Sequence, residues 1–130
     1  MVIQVTAAIF FQDGKYLICQ RAYDDTLPLL WEFPGGKAED GETLEQCIIR
    51  ECQEELGVDI KVCGEVGKTN YPHGSSDLEF TFFSAEIIGG TLTTIVHEKI
   101  NWVPAENLKD YTFCPADVEI VEKLVNKKPT

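Results

Sequence analysis

Residues 36–58, GKAEDGETLEQCIIRECQEELGV, carry their own start and stop signals for a helix and so constrain the chain more than any other stretch. Thr43 is a good N-cap, and Gln46 three residues later completes a capping box. Gly57 suits the left-handed residue that ends a helix. The helix is therefore predicted over 44–56. At 100° per residue, Glu51, Glu54 and Glu55 fall within an arc of roughly 100°, and Leu44, Ile48, Ile49, Cys52 and Leu56 fill the neighbouring arc toward a core. Three like charges on one face cost a few tenths of a kcal/mol each when solvated, and more when partly buried. Taken alone, such a face fits either a solvated surface paired with Arg50 and lysines, or a site for a hard divalent cation such as Mg2+ or Mn2+.

Around that helix the pattern is mixed. Val2 to Phe11 reads as a strand, Gln12-Asp13-Gly14-Lys15 as a hairpin turn, and Tyr16 to Arg21 as the returning strand. A loop over 22–31 precedes a short extended piece, Glu32 to Gly36. Further strands are expected at Asp59 to Tyr71, Leu78 to Ile88 and Lys99 to Val103, separated by a polar turn (72–77) and a Gly89-Gly90 turn. A closing helix is expected from Pro115 to Asn126, with residues 127–130 frayed. Strands before and after a central helix, with a second helix at the end, suggest an α/β (α+β) fold: a mixed sheet sandwiched between helices.

At 130 residues, 1–130 is expected to be one domain with a real core. Nothing is long and apolar enough to cross a bilayer, and the first residues lack the marks of a signal peptide. Five cysteines without a C-x-x-C pair are expected to be reduced, mostly buried thiols in a cytoplasmic protein. The net charge of −11 argues against a nucleic-acid partner. It is also awkward for a nucleotide, unless a divalent cation stands between protein carboxylates and substrate phosphates.

The spacing G-x5-E-x7-R-E-x-x-E-E-x-G is met at Gly36, Glu42, Arg50, Glu51, Glu54, Glu55 and Gly57. This is the Nudix box, and the chain resembles the Nudix hydrolases. The resemblance implies the Nudix fold with its loop–helix–loop, and Mg2+-dependent (Mn2+ possible) cleavage of a diphosphate linkage in nucleotide-like substrates. It implies metal ligands at Glu51, Glu54, Glu55 and the carbonyl of Gly35. Gly36, Glu42, Arg50 and Gly57 become supporting residues, with Glu42 and Arg50 holding the loop on the helix. Catalytic residues are expected among Glu54, Glu51 and Glu98. Glu98, in the loop with His97, is also compatible with a plain surface glutamate, and His97 and His73 read as loop histidines. Cys52 stands where the family usually has a branched aliphatic residue and is expected only to pack.

Outside the box, Gln20-Arg21, the run 30–36 (LWEFPGG), Asn101-Trp102 and the run 113–117 (FCPAD) resemble the MutT-type subgroup. That implies a nucleoside triphosphate cut to a monophosphate and pyrophosphate, with Arg21, Phe33, Lys37 and Asp117 binding substrate. The guanine-selective MutT enzyme has Asn at the position of Asp117, and CTP-type relatives have Asp. An Asp carboxylate accepts from the cytosine amino group, and equally from N–H groups of an oxidised guanine. Ser76 stands where MutT has an arginine, which further weakens guanine selectivity. The expected substrates are therefore modified or pyrimidine triphosphates (8-oxo-dGTP, CTP or dCTP, 5-methyl-dCTP). The alternatives are ADP-ribose, a nucleotide sugar or a dinucleoside polyphosphate, or a non-catalytic nucleotide-sensing domain. A monomer or a homodimer is compatible with the chain.

Overall fold

The computed structural model describes residues 1–127; the remaining part of the expected frayed end, residues 128–130, lies outside them. In chain order come β1 (Val2–Gln12), β2 (Lys15–Gln20), β3 (Trp31–Glu32), β4 (Gly35–Lys37), α1 (Leu44–Leu56), β5 (Val58–His73), β6 (Ser76–Gly90) and β7 (Lys99–Pro104). Two 3-10 turns (Ala105–Asp110 and Pro115–Asp117) and α2 (Val118–Val125) follow.

β1 is the hub of the sheet. It runs parallel to β6, antiparallel to β4, and meets β2 only at the hairpin base, where Phe11 faces Tyr16. The Asp13-Gly14 turn has positive φ at both residues (53° and 78°), the geometry whose twist matches a two-residue hairpin. β5 extends the sheet antiparallel to β6, and β7 and β3 flank β2. Side chains alternate across the central strands because successive residues of a strand point to opposite faces. Ala7, Ile9, Ile18 and Phe82 go to one core with Val121 and Leu124 of α2. Ala8, Phe10, Leu17 and Phe83 go to the other with Ile48, Cys52 and Leu56 of α1. Both faces of the sheet are thus covered, which explains why β1 is apolar without alternation. The mixed sheet between helices is as the sequence predicts.

Local differences have local causes. The Gly89-Gly90 turn is instead the end of β6, paired with Asp59 and Val58. Gly90 has φ +83°, and a Cβ there would sit 2.4 Å from the carbonyl oxygen of Gly57, so glycine allows strand and helix end to touch. The turn expected over 72–77 tightens to Gly74-Ser75, with His73 facing Ser76. The expected helix from Pro115 splits into a 3-10 turn and α2. On α1, Cys47 is buried although the helical arc did not place it in the core, because it packs 3.1 Å from the Thr6 hydroxyl on β1. Leu44 and Ile49 are only partly buried.

Phe82 is fully buried and meets Phe33 edge-on at 6.4 Å. Phe82→Ala is expected to cost about 3–5 kcal/mol, the range for emptying a large buried site. Urea unfolding measures it; a loss below about 1 kcal/mol would mean the core closes over the gap. No helix among the described residues is long and apolar enough to cross a membrane.

Candidate active site

The site is assembled where β4 lies against β1 and under α1. Only glycine fits at 35, since a Cβ there would lie 1.9 Å from the Thr6 carbonyl oxygen. At 36 a Cβ would come within 2.5–2.7 Å of the Glu51 carboxyl group. The two glycines therefore let a strand backbone and a helix carboxylate share one space. α1 begins with the capping box of Thr43 and Gln46 and ends on Gly57 at φ +70°, which fixes the rotation of its acidic face.

Arg50 organises that face. It donates to both carboxylate oxygens of Glu42 (2.7 and 3.0 Å), to Glu51 (2.8 Å), to Glu54 (3.0 Å) and to the Lys37 carbonyl oxygen (3.2 Å). The hydrogen bonds from Arg50, helped by the Glu39 backbone N–H, hold the Glu42 carboxyl down at about 2. Arg50 thus ties the loop before the helix, the last residue of β4 and the helix into one unit.

The three helix glutamates differ in environment. Glu54 is 58% exposed, whereas Glu51 and Glu55 are each 14% exposed. Burial, then the neighbouring Glu51 and Glu32, push the Glu55 carboxyl up to about 9. Its Oε1 is buried without a hydrogen-bond partner. Among the described residues no three acidic, His or Cys side chains are gathered with the spacing of a metal cluster. Arg50 draws Glu51 and Glu54 to itself, while Glu55 lines a cavity. The donor set nonetheless fits a hard divalent cation: its atoms are all oxygens, Glu51 lies close enough to Glu55 to raise its carboxyl, and Glu55 Oε1 is buried without a partner.

That cavity, of about 420 Å³, is lined by Gly35, Gly36, Glu55, Arg21, Phe33 and Asp117. Lys37 also borders it, exposed to solvent. Phe33 is buried and stacks on Phe113 at 5.6 Å. Segment 112–114 is laced to β3: the Trp31 N–H donates to the Thr112 carbonyl and the Cys114 N–H to the Trp31 carbonyl. This lacing brings Asp117, over eighty residues on in sequence, beside Phe33. Asp117 is 4% exposed. Burial, then Glu32, push its carboxyl well above the usual range, and Arg21 opposes the shift. Arg21 donates to Glu32 (2.8 Å) and to the carbonyl and hydroxyl oxygens of Thr26 (2.6 and 2.9 Å).

Glu98 stays apart. It is exposed and does not line the cavity; its backbone N–H donates to the Gln20 carbonyl. Its neighbour His97 is the one that turns inward, buried, with Nε2 3.0 Å from Glu32 and 3.7 Å from Glu55. Nothing in the sequence marks His97, because a single loop histidine has no periodicity to read. Glu32 is likewise unmarked and becomes a bridge only because β3 lies between Arg21 and His97.

The NUDIX domain family matches residues 2–124. A CTP pyrophosphohydrolase of Escherichia coli is 33% identical over 121 residues, covering 93% of this chain and 90% of the relative. An 8-oxo-dGTP diphosphatase of the same organism is 30% identical over 113 residues, covering 87% and 88%. The solution structure of the E. coli ORF135 protein superimposes with a TM-score of 0.85 at 33% identity, over 93% of this chain and 86% of the other.

Proposed function

This chain belongs to the NUDIX domain family and is a Nudix hydrolase, and from that premise we propose that it converts modified or pyrimidine nucleoside triphosphates to a monophosphate and pyrophosphate. The observation that carries the substrate side is the buried carboxyl of Asp117, set beside the Phe33–Phe113 stack in the same cavity as Glu55 and Gly35. The two E. coli relatives, a CTP pyrophosphohydrolase and an 8-oxo-dGTP diphosphatase, agree with it.

In this reading Glu51, Glu54, Glu55 and the Gly35 carbonyl hold Mg2+, or Mn2+ in its place. When bound, the cation polarises a phosphate, offsets its developing charge and makes a bound water more acidic. Water oxygen bonds to phosphorus, the bridging P–O bond breaks, and pyrophosphate leaves. Glu54, more than half exposed, takes the proton of the attacking water. Lys37 and Arg21 supply positive charge for a polyanion on a protein of net charge −11. Phe33 packs the base and Asp117 meets its polar edge. Five free cysteines, four of them buried, suit the reducing cytoplasm in which this proposal places the enzyme.

The test is a panel of canonical, oxidised and methylated triphosphates, with ADP-ribose, a nucleotide sugar and dinucleoside polyphosphates alongside, and product analysis for each. Pyrophosphate plus monophosphate is expected from the triphosphates. Asp117→Asn should change the ratio of kcat/KM between cytosine and oxidised-guanine substrates at least tenfold, since a base-edge contact is worth about 1–3 kcal/mol. The Mg2+ requirement should not move. Unchanged ratios across the panel would remove Asp117 as the base reader.

A further inference from the structure

We propose that His97 is a positioning residue for the cation centre: its buried ring, hydrogen-bonded to Glu32, packs against the Glu55 carboxyl group and holds it in place. This rests on the reading above, in which Glu55 is a ligand.

The ring of His97 is buried between two acidic side chains that come from distant parts of the chain. Glu32 Oε2 lies 3.0 Å from Nε2 and Glu55 Oε1 lies 3.7 Å from it. With the Glu32 carboxylate as acceptor, Nε2 is the ring nitrogen that donates. Nδ1 is buried with no partner. A histidine kept only for packing gains nothing from that arrangement, because an unpaired buried polar atom costs about 1–3 kcal/mol. The orientation makes sense for what Nε2 does. Nε2 lies 3.7 Å from Glu55 Oε1, a carboxylate oxygen buried without a hydrogen-bond partner.

The surroundings hold the ring in place from both sides. The Glu98 N–H donates to the Gln20 carbonyl at 2.8 Å, which pins the loop carrying His97 onto the end of β2. On the other side Arg21 donates to Glu32 Oε1 at 2.8 Å, leaving Oε2 for His97. A continuous run therefore links Arg21, Glu32, His97 and Glu55, joining the wall that faces Asp117 to the helix carboxylates. Groups that orient metal ligands in this way typically change cation affinity by 10–100-fold when removed.

The experiment titrates Mn2+ alone into the full chain, following the free-ion EPR signal, for the wild type, His97→Leu and His97→Gln. Leucine keeps the volume and removes the N–H; glutamine keeps an N–H near the position of Nε2. We expect the leucine variant to bind Mn2+ about tenfold more weakly and the glutamine variant to stay within threefold of wild type. Nucleotide turnover should follow, with kcat falling in the leucine variant and KM moving less than twofold. If His97→Leu fails to fold, His97→Ala takes its place. Wild-type affinity in the leucine variant overturns the positioning role, as does a loss that glutamine fails to restore. If the wild type itself binds no Mn2+, the cation reading of Glu55 fails and this inference fails with it.

Discussion

Glu54→Gln is expected to lower kcat by about 10³-fold while leaving the fold in place. A positioned carboxylate that accepts a proton in the transition state contributes about 10²–10⁴ in rate, and the amide has the same shape without the basicity. The structural cost is small for a stated reason. Glu54 is more than half exposed, and its one partner, Arg50, keeps Glu42 and Glu51. Exposed ion pairs contribute about 0–1 kcal/mol, so the unfolding free energy from urea titration should fall by no more than that. Steady-state rates with a triphosphate and urea unfolding of the same preparation give both numbers. An unchanged kcat would take the proton-accepting role away from Glu54. A kcat loss matched by unfolding would mean that the side chain matters for the helix and not for the reaction.

Arg50→Gln is expected to have the larger effect on stability at pH 7, with a urea midpoint clearly below that of Glu54→Gln. Arg50 is only 23% exposed, and it makes a two-pronged contact with Glu42, itself 13% exposed. A two-pronged, charge-assisted contact is stronger than a single ion pair because both carboxylate oxygens are held at once. Removing the guanidinium also leaves Glu42, Glu51 and Glu54 without their shared cation. The pH dependence has a definite sign. In the folded protein Glu42 is held at about 2, below its unfolded value, so the unfolded chain binds more protons as the solution turns acid. The stabilisation is present above the ordinary carboxylate range and is lost as pH falls toward 2. The gap between wild type and Arg50→Gln should therefore be widest near neutrality and shrink in acid. Equal stability at pH 7 would reduce the Arg50 network to ordinary surface pairing.

Sequence and structure divide the protein unequally. The capping box, the left-handed Gly57, the Asp13-Gly14 hairpin and the apolar first strand were legible because each depends on residues within a few positions of one another. The same locality put Glu51, Glu54 and Glu55 on one helical face, since 100° per residue needs no tertiary information. It could not tell them apart. Whether a carboxylate is half-exposed like Glu54 or sealed like Glu55 depends on what lies across from the helix, and that is β4, β3 and the loop before β7. Glycines 35 and 36 look like any turn in the sequence; only the Thr6 carbonyl and the Glu51 carboxylate, each brought there by another element, show why no side chain fits. Asp117 and Phe33 meet because segment 112–114 is hydrogen-bonded onto β3, and His97 reaches Glu32 and Glu55 because its loop is pinned to β2. Periodicity and capping report short-range geometry, so the sequence by itself determined the elements, the family pattern and the acidic face. Burial and charge pairing arise between segments far apart in the chain, so only the tertiary structure decided which of those groups are desolvated, which are neutralised and which share one cavity.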